Sequence, residues 1–100
     1  MIPAEVKQAI IQQLQTMDDD LTGYTIVLFG SRAAHKAQPR SDFDVGVLGK
    51  RPMPPSLFYQ IEEKFDKIET LYTIDWVDLT QTSDDFRREA LKEIEVLYEG

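Results

Sequence analysis

Apolar residues recur every three or four positions through Val6, Ile10, Leu14 and Met17, behind a proline at position 3 that suits a first helical turn. This spacing predicts an amphipathic helix over residues 3–17. The acidic run Asp18 to Asp20 ends it, and Thr22-Gly23 forms a turn. Tyr24 to Phe29 is an unbroken β-branched and aromatic run, as expected of a strand buried on both faces, and Gly30-Ser31 closes it. Residues 32–37 suit a short helical turn, which Pro39 stops. A second strand begins near Ser41, where alternation in SDFDVGVLG sends Asp42 and Asp44 to one face and Phe43, Val45 and Val47 to the other.

Lys50 to Pro55 holds three prolines in six residues and reads as a loop. Ser56 is then placed to cap a helix with Leu57, Phe58, Ile61, Phe65 and Ile68 along its apolar stripe. Residues 72–79 form a third strand, and Thr82 or Ser83 opens a last helix with Phe86, Ala90, Ile94 and Leu97 facing inward. The expected order is α-β-(short α)-β-α-β-α: a small α/β sandwich in which helices pack on a mixed three-stranded sheet.

One hundred residues make a single domain, 1–100, with 42% hydrophobic residues and a thin core to which a partner surface would add. Cysteine is absent, which removes disulfides and thiolate chemistry, and His35 is the one imidazole, so zinc is not expected. The apolar runs fall far short of the roughly 20 residues that span a bilayer, and the N-terminus has no signal pattern. No membrane association and a cytoplasmic location are expected.

The net charge of −7 opposes binding to extended nucleic acid. Its distribution changes the picture. Residues 32–51 carry five cations (Arg32, Lys36, Arg40, Lys50, Arg51) against two acids, while the remainder is strongly acidic. Such a segment suits a compact anion, and a small phosphate ligand is the first expectation.

Asp42 and Asp44 project side by side from one strand face, an arrangement that repels itself without a cation between the carboxylates. Oxygen-only ligation selects a hard ion, Mg²⁺ or Mn²⁺, completed by waters and substrate phosphates. An isolated Asp-x-Asp is more often a pair of solvated acids, but here Gly30-Ser31 lies upstream, where a buried strand turns and leaves backbone N–H groups free for phosphate. Arg32 follows directly and can bind a phosphate oxygen.

The stretch GSRAAHKAQPRSDFDVGV resembles the signature of minimal nucleotidyltransferases of the DNA polymerase beta superfamily: Gly-Ser, ten intervening residues, then Asp-x-Asp. Element order and total length are similar from end to end. The resemblance implies that Gly30, Ser31 and Arg32 hold nucleotide phosphates. It also implies that Asp42 and Asp44 bind two divalent metals, Mg²⁺ or Mn²⁺, and that a third carboxylate from a later strand completes the site. TIDWVDL offers Asp75 and Asp78. Ile74 and Trp76 flank Asp75 and point away from it, so alternation puts Asp75 on the polar face and Asp78 with the apolar set. The family's apolar-Asp-apolar pattern also falls on Asp75. Asp78 is then a capping or strand-end acid, and Trp76 a core residue rather than a base-stacking platform.

The chain departs from the family at His35, where many members carry Gly. With the acids and Gly-Ser intact, the resemblance implies transfer of a nucleoside monophosphate, AMP from ATP, to a hydroxyl. The chain has no expected segment for a second lobe, so the acceptor brings its own surface. The family implies as partner a small HEPN-type or substrate-binding-like helical protein, in a homo- or hetero-oligomer, with a tyrosine of the HEPN toxin as acceptor and the transferase as antitoxin. The alternatives are a binding-only antitoxin or assembly subunit, and transfer to a small molecule such as an aminoglycoside.

Overall fold

The computed structural model describes residues 1–100, in the order α1 (Pro3–Gln15), a 3₁₀ turn (Asp18–Leu21), β1 (Thr25–Phe29), β2 (Phe43–Leu48), α2 (Pro55–Asp66), β3 (Ile74–Asp78), a 3₁₀ turn (Leu79–Gln81), α3 (Asp84–Ala90) and β4 (Glu95–Glu99). The sheet has four strands in the order β3-β2-β1-β4. β1 is antiparallel to β2 and β4, and β2 is parallel to β3, which requires the long connection that α2 provides.

The α/β expectation and its mixed sheet hold, with three corrections. The last helix ends at Ala90, and Glu95–Glu99 is a strand. The period of four through Phe86, Ala90 and Ile94 is compatible with a longer helix, but β1 has a second row of backbone N–H and C=O groups that need partners, and β4 supplies them. Lys7 Nζ donates to Glu95 Oε2 at 2.7 Å, tying β4 to α1. The short helix expected over residues 32–37 is a turn held by Ala34 N to Gly30 O (3.1 Å) and Lys36 N to Ser31 O (2.8 Å). His35 adopts φ 57°, which stops helical propagation. Finally, α2 starts at Pro55 with Pro54 at its N-cap, so Ser56 is already helical. Proline's fixed φ and missing N–H suit that first turn without a side-chain cap.

The sheet has two apolar faces. On one, Ile26, Leu28, Phe43, Val45, Val47, Trp76 and Leu97 join Val6, Ile10 and Leu14 of α1 and Ile61 and Phe65 of α2 in the main core. On the other, Val27, Phe29, Leu79 and Ala90 form a smaller cluster under α3. Ser83 caps α3, its Oγ accepting from Phe86 N at 3.1 Å, and Arg87 reaches back to the carbonyls of Leu79 (2.8 Å) and Thr82 (3.0 Å). No helix is long and apolar enough to cross a membrane. Beside Phe29 at the end of β1, the face under α3 also carries Asp44 of β2 and Asp75 of β3.

Candidate active site at the sheet edge

Three neighbouring strands bring the predicted site residues together. Phe29 at the end of β1 is opposite Asp44 on β2, and Asp44 is level with Asp75 on β3. Asp42 immediately precedes β2. The alternation inferred for β2 is correct: Phe43, Val45 and Val47 are buried in the main core, while Asp44 lies on the opposite face. In β3, Trp76 and Asp78 are buried and Asp75 is exposed.

Gly30 turns the chain at φ +76°, and a Cβ there would lie 2.2 Å from Asp44 Oδ2. Glycine is therefore needed twice, for the left-handed backbone and for the space the carboxylate occupies. Ser31 follows, half-buried, on the same turn.

The carboxyls of Asp44 and Asp75 are neighbours across the β2–β3 pairing, close enough for each to bear on the other's charge. Burial, the negative charges of Asp75 and Asp42, and the contact with Asp75 push Asp44 up to about 6 from an ordinary 3.8. A cation beside these carboxylates would relieve the repulsion that the backbone enforces. No group of three or more carboxylate or imidazole side chains is placed to hold a metal ion by itself; Asp44 and Asp75 are the close pair. The donor set is all oxygen and open, which fits a hard divalent ion that draws further oxygens from substrate and water.

Arg32, expected to bind a phosphate oxygen, is also engaged within the protein. Its Nε and Nη2 donate to Ser41 O at 3.0 and 2.7 Å, and its guanidinium lies over the rings of Phe43 (4.2 Å) and Tyr72 (5.0 Å). The guanidinium stacks because Phe43 of β2 and Tyr72, two residues before β3, present aromatic faces beside the turn, and it thereby straps the Gly30-Ser31 turn to the entry of β2. Asp78 is the structural acid that alternation indicated. It accepts from Met53 N (2.8 Å), Thr80 N (3.0 Å) and Thr80 Oγ1 (2.6 Å), joining the proline loop to the end of β3. Trp76 is core, stacked on Phe58 at 5.2 Å with Nε1 donating to Phe58 O at 3.0 Å.

Two residues at the site were missed as functional candidates. Glu62 of α2 borders the Asp44–Asp75 pair, and Phe86 of α3 stands at the same edge. Helical spacing alone, which carries no information about which strand a helix covers, places Phe86 inward and gives Glu62 no role.

A family model described as polymerase beta, nucleotidyltransferase, matches residues 8–100. A relative from Haemophilus influenzae, the probable protein adenylyltransferase MntA, is 30% identical over 82 residues, covering 82% of this chain and 67% of that protein. Among solved structures, a toxin–antitoxin with AMP-PNP aligns with a TM-score of 0.68 at 22% identity, covering 94% of this chain and 73% of that one. A tri-AMPylated Shewanella oneidensis HEPN toxin in complex with MNT antitoxin aligns with a TM-score of 0.62 at 19% identity over the same shares. At these identities the structural likenesses establish the fold.

Proposed function

The chain belongs to the polymerase beta nucleotidyltransferase family, and from that premise we propose that it transfers AMP from ATP to a hydroxyl, a tyrosine of a HEPN-type helical partner, and so acts as that partner's antitoxin. The observation that carries this reading is the juxtaposition of the Gly30-Ser31 turn, which directly follows β1, with Asp44 on β2 and Asp75 on β3. The relative and the solved neighbours, an adenylyltransferase and complexes of HEPN toxin with MNT antitoxin, support the choice of acceptor.

Backbone N–H groups of the Gly30-Ser31 turn would bind the triphosphate, and Arg32, held by Ser41, keeps that turn in place. Asp42, Asp44 and Asp75 would hold two Mg²⁺ ions, with Mn²⁺ as substitute. The metals supply charge neutralisation on the phosphates and a lower pKa for the acceptor hydroxyl. Asp75, exposed on β3, faces the incoming acceptor and takes the hydroxyl proton. The acceptor oxygen forms the new bond to the α-phosphorus, the bond to the bridging oxygen breaks, and pyrophosphate leaves.

The test is intact mass of both chains after incubation with Mg-ATP and a co-purifying helical partner. Added AMP on the partner, lost with Asp42→Asn, is the expected result. A tight complex without a mass change would replace this reading with binding-only neutralisation.

A further inference from the structure

Phe86 is the residue of α3 whose surroundings depart furthest from its pattern. Its helical position marks it as inward-facing, yet it is 47% exposed, while Ala90 one turn later is buried. One side of its ring meets Phe29 edge-on, 6.2 Å between centroids at 81°. The remainder borders two cavities. The first, about 550 Å³, runs between the Gly30-Ser31 turn and α3, with Lys36 on one wall and Phe86 and Ala90 on the other. The second, about 530 Å³, contains Asp44, Asp75 and Glu62 and is also bordered by Phe29 and Phe86.

In the first cavity Lys36 and Lys92 balance Glu89 and Glu93, and the turn adds backbone N–H donors. The second is lined by three carboxylates and no basic side chain, so it takes the phosphates only through the divalent ions proposed for Asp44 and Asp75, at its border with the first cavity. The first cavity also has the two halves a nucleotide has. One wall is polar and cationic, at Gly30, Ser31 and Lys36; the other carries an apolar patch, Phe86 and Ala90, beside the Glu89–Lys92 ion pair and Glu93. Its volume suits a ligand of nucleotide size.

We propose that the nucleobase stacks on the exposed face of Phe86 while the triphosphate lies along the Gly30-Ser31 turn, which makes Phe86 the base-binding residue of this chain. This rests on the nucleotidyltransferase reading and adds to it the orientation of the nucleotide. Stacking tolerates any base and grows with ring area, so purine nucleotides bind more tightly than pyrimidine ones.

The test uses the full chain and two ligands, Mg-ATP and Mg-tripolyphosphate, the second having no ribose or base. Phe86→Ala and Phe86→Leu are both expected to weaken Mg-ATP binding roughly 5- to 100-fold and to leave tripolyphosphate binding unchanged, with Phe86→Trp restoring ATP affinity. Phe86→Leu keeps apolar contact with Phe29 and removes only the flat face, so a loss there is not a loss of packing. Unchanged ATP affinity in both variants, or equal loss for both ligands, would overturn the proposal. Failure of the unaltered protein to bind either ligand would instead overturn the nucleotidyltransferase reading on which it rests.

Discussion

Replacing Asp44 by Asn should stabilise the metal-free protein, and by an amount that depends on pH. Asp44 titrates near 6 in the fold against 3.8 when unperturbed. A shift of about two units corresponds to a ceiling of about 3 kcal/mol; the side chain is half-buried, and solvent screening reduces this to about 1–2 kcal/mol. The folded pKa is raised, so the native state holds its proton longer than the unfolded chain. Below pH 4 both states are protonated and no penalty exists. Between about pH 4 and pH 6 this group's contribution falls as pH rises, and above 6 the full penalty persists. Asparagine cannot ionise, and its amide can donate to Asp75. In chelator, thermal unfolding should therefore give the variant a Tm about 4–10 °C higher at pH 7.5, with the difference vanishing near pH 4. Adding Mg²⁺ should raise the Tm of the unaltered protein and not that of the variant. A variant less stable than the parent at pH 7.5, or a difference equal at both pH values, would refute the electrostatic account of Asp44.

Asp78→Ala strands the buried N–H groups of Met53 and Thr80; denaturant unfolding should show a loss of about 2–4 kcal/mol, whereas Asp75→Asn should leave stability nearly unchanged or improved. His35→Gly relieves a side chain at φ 57° and should stabilise by about 1 kcal/mol, read by the same unfolding curves; a loss of stability would mean that the imidazole makes a compensating contact.

Much of the site was legible because it depends on local periodicity. Side chains alternate every residue along a strand, so the sequence alone separates Asp44 from Phe43 and Val45, and Asp75 from Trp76 and Asp78, whatever the strands pair with. The Gly-Ser spacing to Asp-x-Asp and the missing glycine at His35 were equally visible, although only the backbone shows that residue 35 is left-handed. Three features required the tertiary structure. β4 exists because β1 has an unpaired edge, a demand made by one segment upon another about seventy residues away. The contact between Asp44 and Asp75 depends on the register of parallel pairing, which nothing within either strand encodes. Arg32 and Phe86 exchange their expected roles for the same reason: whether a side chain is free or covered is decided by what packs beside it. Arg32 is drawn onto Phe43 and Tyr72, and Phe86, in the first turn of α3, is left half-exposed with only Phe29 against its ring.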